Sequence, residues 1–591
     1  MKAKLFAVLI ALALCTSIPA IAEEVLLLPA DLTVIEEEAF AGGESLAKVV
    51  VPNGTTEIGA RAFADSSITE IVLPVSLTKI SEDAFEGCGS VTLFVHKNSY
   101  AHSWAAEHGY NTEFSDDYAY TLSADGRATL TAYLGCDTEI VIPQSITGHP
   151  VAELGERLFE ANDAITHVTL HDGVTAIHDA AFMNCTSLET IDLSSGLISI
   201  GNKAFKNCSA LKAITIPDSI TRIGDFVFEG CSNLNTLFAN AGSSGSIQIS
   251  KRYLSFIDPS CPDFLLRCSE QSELIIDKYI GTADTVQIPA SIGTAKVTTL
   301  GSNAFRSLSS LTAVTIPEGV DSIGSYCFDE CSALNSINFP SSLVNIGYAA
   351  FQGCVSLPEV HLPEGLLFIA EYAFNFCDAL EEVYIPGSVK AIGEHTFSAC
   401  RQLTSVTVSE GVQSLGDFAF LDCRALEQIV LPDSLTSFDA GVFNDCVSLR
   451  SVQLGANTEN IGDLMFKGCT NLTEIAIPAS ITCIGGSAFE GCSSLTAFAI
   501  PDGVDTINPE TFFGCVSLAE ITVPDSITRI GGSAFEGCSS LTDITIPAGV
   551  EFMDINIFKD CPDLTVHVYK DSYAHTYCQS NYLTINYDVI A

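Results

Sequence analysis

Histidines, carboxylates and 22 cysteines are the residues of this chain whose types could do chemistry. His167, His171 and His178 lie close together in sequence and suggest a metal site, with ordinary solvated side chains as the competing explanation. No Cys-x-x-Cys pair or Cys/His set has zinc spacing. The chain also lacks a phosphate-binding loop, a nucleophile elbow and a His-Glu-x-x-His motif. We therefore expect no enzyme activity, no metal site and no cofactor.

The cysteines follow a regular spacing. Fifteen of the 22 lie three residues after a recurring Phe, and they run from Cys88 to Cys561. A small apolar side chain suits a tight buried corner. Equivalent positions one strand apart are also farther from each other than the ~3.8 Å Cβ separation that a disulfide prefers. The spacing therefore predicts a buried ladder of free thiols, and Cys261 and Cys268, which lie outside it, are the best candidates for a disulfide.

The same Phe defines an internal repeat. It recurs every 23 residues from Phe305 to Phe558 and from Phe159 to Phe228, and Phe40, Phe63 and Phe85 keep the step with one residue missing. A composition bias could not hold one phase over twelve consecutive units. Such a fixed period is typical of a solenoid, in which each unit is stable only when it is stacked on its neighbours.

One unit shows how the repeat folds. Leu541, Ile544 and Ile546 are apolar, and polar Asp543 and Thr545 alternate with the two Ile residues, as in a half-buried strand. Pro547 donates no amide hydrogen and ends the strand. Gly531 allows the turn into the next Ala-Phe pair. Each unit is thus predicted to supply a strand, a corner, a second short extended piece and a turn.

The pattern resembles a known family. The strings Ile-x-x-Ile-Gly, Ala-Phe-x-Gly-Cys and Leu-x-x-Ile-x-Ile-Pro, which run from Ile527 to Pro547, are similar to the BspA-type (Treponema-type) leucine-rich repeat. The resemblance implies a repeat solenoid, a right-handed coil with a parallel concave β-sheet and short turns or 3-10 segments on its convex side. It also implies a bacterial surface or secreted protein of a kind associated with adhesion, and it carries no catalytic residues.

The N-terminus and the charge indicate where such a protein acts. Lys2 and Lys4, the apolar run from Leu5 to Leu14 and the small residues before Glu23 are typical of a signal peptide spanning residues 1–22. A net charge of −46 disfavours nucleic acid and anionic membranes as partners. No later stretch approaches the roughly 20 apolar residues of a membrane span. We expect a secreted or extracellular-surface protein without integral membrane insertion.

Breaks in the period divide the mature chain into three blocks, at 23–117, 118–250 and 251–591. Tyr100, Trp104, Ala105 and His108 have helical spacing, and a similar segment near Tyr573 closes the third block, so both are predicted to be caps. Trp104 is expected in the core of its cap.

The second and third blocks begin differently from the repeat. A β-rich stretch precedes the repeats of each block, as at 118–141, with a turn at 124–126. At the end of the second block, the small polar run 240–246 is expected to be a flexible turn or linker, so that this block has no cap.

The exposed strand positions are the remaining candidates for function. Positions eight and ten residues after each Phe should face outward from the concave sheet, and most carry Thr, Ser or Ala. Near the middle of the third block they change to Glu359 with His361 and then to Glu382 with Tyr384. Aromatic and charged groups in the centre of such a sheet favour a binding hot spot, and drift at solvated positions is the competing explanation.

Three functions fit these features to different degrees. The first is a secreted or surface protein that binds an extracellular protein or glycan, for adhesion to host or neighbouring cells. The second is a structural spacer without a specific ligand. The third is a carboxylate-based glycoside hydrolase, which requires two carboxyl groups about 5–10 Å apart in a deep cleft. A Thr/Ser-lined sheet favours the first.

Overall fold

A computed structural model describes residues 25–29, 31–44, 46–114, 117–252 and 254–586. The predicted signal peptide, residues 1–22, lies outside the described residues. The described residues form parallel β-solenoid turns, about 24 in all, with little helix. The chain divides into two compact units, one ending at Phe256 and one beginning at Ile257. This division does not test the block boundaries expected from the sequence, at 117/118 and 250/251, which stay predictions.

Each turn of the solenoid contributes two strands, which stack in two separate series. The front strands begin seven or eight residues after most repeat Phe residues, and the shorter side strands begin nine residues later. Within each series the neighbours are parallel and in register, because every unit repeats the same geometry one strand spacing, ~4.8 Å, further along.

In the first compact unit, which ends at Phe256, the front strands are Val25–Leu27, Lys48–Val50, Glu70–Val72, Thr92–Val95, Asn111–Phe114, Glu139–Val141, His167–Thr169, Thr190–Asp192, Ala213–Thr215 and Thr236–Phe238. Its side strands are Val34–Ile35, Glu57–Ile58, Lys79–Ile80, His149–Leu154, Ala176–Ile177, Ser199–Ile200 and Arg222–Ile223, and Ser145–Ile146 pairs antiparallel with His149–Leu154.

In the second compact unit, which begins at Ile257, the front strands are Thr285–Gln287, Ala313–Thr315, Ser336–Asn338, Glu359–His361, Glu382–Ile385, Ser405–Val408, Gln428–Val430, Ser451–Gln453, Glu474–Ala476, Ala497–Ala499, Glu520–Thr522, Asp543–Ile546, Thr565–Val568 and Thr584–Asn586. Its side strands are Ala295–Leu300, Ser322–Ile323, Asn345–Ile346, Phe368–Ile369, Ala391–Ile392, Ser414–Leu415, Ser437–Phe438, Asn460–Ile461, Cys483–Ile484, Thr506–Ile507, Arg529–Ile530 and Phe552–Met553, and Ser291–Ile292 pairs antiparallel with the first of them.

The repeat Phe residues form the centre of the coil. From Phe305 to Phe558 their rings stack in one column, with centroids 4.9–5.8 Å apart and planes within 20° of each other. Shorter columns join Phe159 to Phe228 and Phe40 to Phe85. The corner that holds each ring also bonds to the next unit, as where the Phe351 amide donates to the Ala373 carbonyl. The corners are turns, and no 3-10 helix is present among the described residues.

The cysteine ladder is confirmed, with twelve of its fifteen thiols buried and Cys88, Cys231 and Cys561 partly exposed, and the structure gives it a further reason. None of the 21 cysteines of the described chain forms a disulfide. Each of the fifteen ladder cysteines donates its thiol to the carbonyl of the repeat Phe one unit earlier, over 2.9–3.4 Å. Cysteine is therefore small enough for the corner and still satisfies a buried carbonyl. The disulfide considered for Cys261 and Cys268 is wrong, since no such bond is formed in the described chain.

Both β-rich starts are antiparallel hairpins. Tyr118–Leu122 pairs with Ala128–Tyr133, and Phe264–Cys268 pairs with Leu274–Tyr279. The second strand of each hairpin then pairs in parallel with the first long side strand. Each hairpin therefore covers the open edge of a sheet.

Three helices end stretches of repeats: α1 (Tyr100–His108), α2 (Ser244–Ser250) and α3 (Tyr573–Ser580). The helix expected from Trp104 is present, and its indole is buried in the cap core. The prediction of a linker at 240–246 without a cap is wrong, because α2 begins inside that run. Ser243 caps its N-terminus by accepting a bond from the Ser246 amide, as Ser99 and Ser572 do for the other two helices. Among the described residues no helix has the length and apolar composition that crossing a bilayer requires.

Candidate binding surface

The four residues chosen from the sequence lie together on two neighbouring front strands. In Glu359–His361 and Glu382–Ile385 the central Val360 and Val383 are buried, so the residues on either side of each point into solvent. The parallel register places Glu359 beside Glu382 and His361 beside Tyr384. We call these four residues, Glu359, His361, Glu382 and Tyr384, the front patch.

The front patch is open and polar. The side chains of Glu359 and His361 are 60% and 80% exposed, and His361 Nε2 lies 3.6 Å from a Glu359 carboxylate oxygen. Tyr384 is 41% exposed and donates its hydroxyl to Glu364 Oε1 over 2.8 Å. No cation of the described chain forms an ion pair with Glu382 or Glu364. The patch thus offers hydrogen-bond acceptors, one aromatic ring and unneutralised negative charge.

A weaker polar row lies on front strands beyond the front patch. Gln428 lies beside Ser451 on adjacent front strands, and Gln453 is exposed two residues further along. These strands start a new hydrogen-bonded group after Ser405–Val408. They carry amide and hydroxyl groups without an aromatic ring, so the front patch is chemically distinct from its continuation.

The three histidines considered for a metal site are held apart. His167, on a front strand, contacts the hydroxyls of Thr190 and Thr169. His171 accepts a bond from the Gly173 amide, and His178 bonds Glu153 on the side strands. In the described part of the chain no group of three or more His, Cys, Asp or Glu residues could hold a metal ion.

A second surface feature lies on the side strands of the same repeat units. A mainly apolar pocket of about 720 Å³ is lined by Leu367, Phe368, Tyr348, Ser388 and the aliphatic stem of Lys390. Leu367 and Phe368 are 46% and 63% exposed. We call this the side pocket.

A signal for the side pocket is present in the sequence, although reasoning from the sequence missed it. The positions of Leu367 and Phe368, sixteen and seventeen residues after the repeat Phe, are polar in most units, as in Gln413-Ser414 and Thr436-Ser437. Adjacent apolar residues in a buried-strand pattern resemble core residues, so the pair did not stand out. Only the structure shows that both side chains face solvent.

An outer column of aromatic rings runs beside the side pocket. The rings contact one another in succession, with centroids 4.9–5.5 Å apart, in the order Tyr326, Tyr348, Tyr372, His395 and Phe418. The contacts of Tyr348 are edge-to-face and tilted, whereas those from Tyr372 to Phe418 are stacked. The Arg306 guanidinium covers the ring of Tyr326 at 5.0 Å. All but Tyr348 have a positive φ of 52–59°. That conformation costs a non-glycine residue roughly 1–2 kcal/mol.

Hydrogen bonds hold part of this outer column in place. The Tyr372 hydroxyl donates to Glu394 over 2.9 Å. Because this bond requires the protonated phenol, it raises the pKa of Tyr372 to about 12. Tyr348, which lies between Tyr326 and Tyr372 in this column, forms one wall of the side pocket.

The comparisons with known proteins agree with the repeat geometry. Residues 23–103, 138–253, 298–427, 368–495 and 459–584 match the family described as BspA-type leucine-rich repeat region. These segments cover well over half of the chain, which therefore belongs to that family. No curated protein matches it.

Several solved structures are similar to this chain. A leucine-rich repeat protein from Bacteroides ovatus is 24% identical, over 78% of this chain and 100% of its own, with a TM-score of 0.39. A leucine-rich cell surface protein from Faecalibacterium prausnitzii is 27% identical, over 50% and 94%, with a TM-score of 0.25. The leucine-rich repeat protein of T. pallidum is 28% identical, over 39% and 88%, with a TM-score of 0.26.

Proposed function

We propose that this protein is a secreted or cell-surface binding protein that contacts an extracellular protein or glycan through the front patch, in adhesion to host or neighbouring cells. Its membership of a leucine-rich-repeat family of cell-surface type is consistent with protein binding. The observation that carries the proposal is the register of Glu359 with Glu382 and of His361 with Tyr384, because it gathers into one patch groups that most front strands lack.

The geometry favours binding over hydrolysis. Glu359 and Glu382 are neighbours on a strand face, and the 60% exposure of Glu359 is that of a solvated side chain. A glycoside hydrolase instead needs one carboxyl group kept protonated by an enclosed, water-poor site. An open strand face gives a carboxylate no such environment, whereas a partner that covers the face can bury Tyr384 as an anchor.

The test is a binding screen of the full chain against extracellular matrix proteins and glycans, repeated with Tyr384→Ala and with Glu382→Ala. Truncation of a central aromatic anchor should weaken binding of a captured ligand by about tenfold or more. Gln453→Ala is the matched control, since Gln453 occupies the same position in its own unit as Tyr384. A ligand that binds the parent and both front-patch variants equally would show that the patch is misplaced.

A further inference from the structure

The side pocket is a second surface feature of the units that carry the front patch. Glu359–His361 is a front strand, Phe368–Ile369 is the side strand that follows it, and the turn from Pro363 to Leu366 joins them. Glu364 in this turn binds Tyr384 of the front patch. The front patch and the side pocket therefore lie on either side of one corner of the coil.

The apolar character of the side pocket is local to these units. Most other units place polar residues at the positions of Leu367 and Phe368, where the side strand meets solvent. Val344, at the position of Leu367 one unit earlier, is also an exposed large apolar residue. Contiguous exposed apolar side chains are costly to keep in water and typically mark a contact surface.

The charges around the side pocket specify what kind of occupant it fits. The Lys390 ammonium is directed to two backbone carbonyls, those of Gly387 at 3.0 Å and Gly411 at 3.3 Å, so only its stem forms a wall. Glu371, also in the lining, is exposed and forms no ion pair with any cation of the described chain. The pocket thus combines an apolar floor with the unpaired Glu371 carboxylate at its edge, while the Lys390 ammonium is occupied by backbone carbonyls.

We propose that the side pocket binds a basic segment of a protein partner, which inserts a Leu- or Phe-like side chain between Phe368 and Tyr348 and places a Lys or Arg beside Glu371. The inference rests on the proposed function, since it names the partner chemistry of a binding surface in the same units. The apolar insertion supplies the affinity, and the neighbouring cation supplies selectivity and speeds the encounter with a chain of net charge −46.

The test uses three fluorescein-labelled twelve-residue peptides and the full chain, with binding followed by fluorescence anisotropy at physiological ionic strength. The first peptide combines Lys with Leu and Phe, the second has Glu in place of every Lys, and the third has Ser in place of every Leu and Phe. Only the first should bind well. Leu367→Thr with Phe368→Ser, which restores the polar character of the other units, should weaken that binding about tenfold or more.

Two control variants test whether the loss of peptide binding is specific to the side pocket. Ile198→Thr removes an exposed aliphatic residue at the position of Leu367 in another unit, and should leave peptide binding unchanged. Tyr384→Ala should also leave it unchanged, because Tyr384 belongs to the front patch. The two proposals can therefore fail separately: the front patch in the matrix and glycan screen, the side pocket in the peptide assay.

Four outcomes would overturn the side-pocket proposal. One is that the first peptide does not bind at all. Another is that the double variant binds it like the parent, which would mean diffuse attraction to an acidic surface. A third is equal binding of the Glu-containing peptide, which would remove the role of charge. The last is self-association of the parent, seen by sedimentation and lost in the double variant, which would make the pocket an interface between two copies of this chain.

Discussion

The inside and the outside of the same repeat units follow different rules. Inside, the units around Phe351, Phe374 and Phe397 are nearly interchangeable, with rings 5.1–5.4 Å apart and ladder thiols bonded one unit back. Outside, these units depart from the rest of the array on the front strands, at Tyr384, and on the side strands, at Phe368. The repeat therefore sets the fold through its interior, and the variable exterior of a few units is where binding specificity can reside.

The largest expected effect is on the interior. Phe374→Ala removes a fully buried ring that stacks on two others, so the lost burial and the resulting cavity should cost about 3–5 kcal/mol in the free energy of unfolding. Phe368→Ser, six residues away on the outside, should change it by about 0.5 kcal/mol or less. Chemical denaturation followed by circular dichroism measures both. Similar costs for the two variants would remove the distinction between interior and exterior.

The interior could be predicted from the sequence because it repeats. A period of 23 residues places each Phe, Cys and strand residue without knowledge of their contacts, and one unit explains the others. The bond from each ladder thiol to the preceding Phe carbonyl could not be predicted in this way. It depends on how far the corners of two successive units are offset, which spacing along the chain does not give.

The exterior was predicted only in part. Glu359, His361, Glu382 and Tyr384 were proposed as a site because they break a pattern of small residues on alternating positions, and their role in binding stays a prediction. The side pocket was missed because Leu367 and Phe368 fit the composition of a buried strand. Helix α2 was missed because Ser244, Gly245 and Ser246 have the composition of a linker, whereas its cap depends on the conformation of Ser243.

A smaller interior effect concerns the thiols. Burial raises the pKa of Cys400 to about 12, and its thiol bonds the Phe374 carbonyl. Cys400→Ala should cost about 1–2 kcal/mol in the free energy of unfolding, because it leaves a small cavity and an unsatisfied carbonyl. In native protein an aromatic disulfide reagent should modify the exposed Cys483 first and the twelve buried ladder thiols only after denaturation. Few free thiols after non-reducing denaturation would contradict the ladder.

The next prediction concerns Ser243, the N-cap of α2, a helix that could not be recognised from composition. Ser243→Ala removes the side-chain acceptor of the Ser246 amide and should lower the free energy of unfolding by about 1 kcal/mol. Ser244→Ala is the matched control, since Ser244 is exposed at the first helical position and bonds no backbone amide as a cap. Thermal denaturation compares the two. Equal stability of both variants would mean that this segment behaves as the linker its composition suggests.

The smallest expected effect lies in the outer aromatic column, and it depends on pH. Tyr372 donates to Glu394, and this bond raises the pKa of Tyr372 to about 12, above the value of about 10 for an unfolded tyrosine. A pKa raised by folding means that the stabilisation is fully present below pH 10 and is lost as the pH rises towards 12. Tyr372→Phe should therefore be slightly less stable than the parent at neutral pH, with a difference that shrinks above pH 10.

Phenolate absorbance and denaturation across this alkaline range measure the effect directly. Glu394→Gln is the informative control, because an amide lacks the negative charge that holds the proton on Tyr372, and it should return the pKa of that hydroxyl towards its ordinary value. If the Tyr372 titration is the same in this variant, the hydrogen bond does not fix the ring. The wall of the side pocket at Tyr348 would then rest on ring stacking alone, and Tyr326→Ala, which removes a neighbouring ring, should weaken peptide binding even though Tyr326 does not line the pocket.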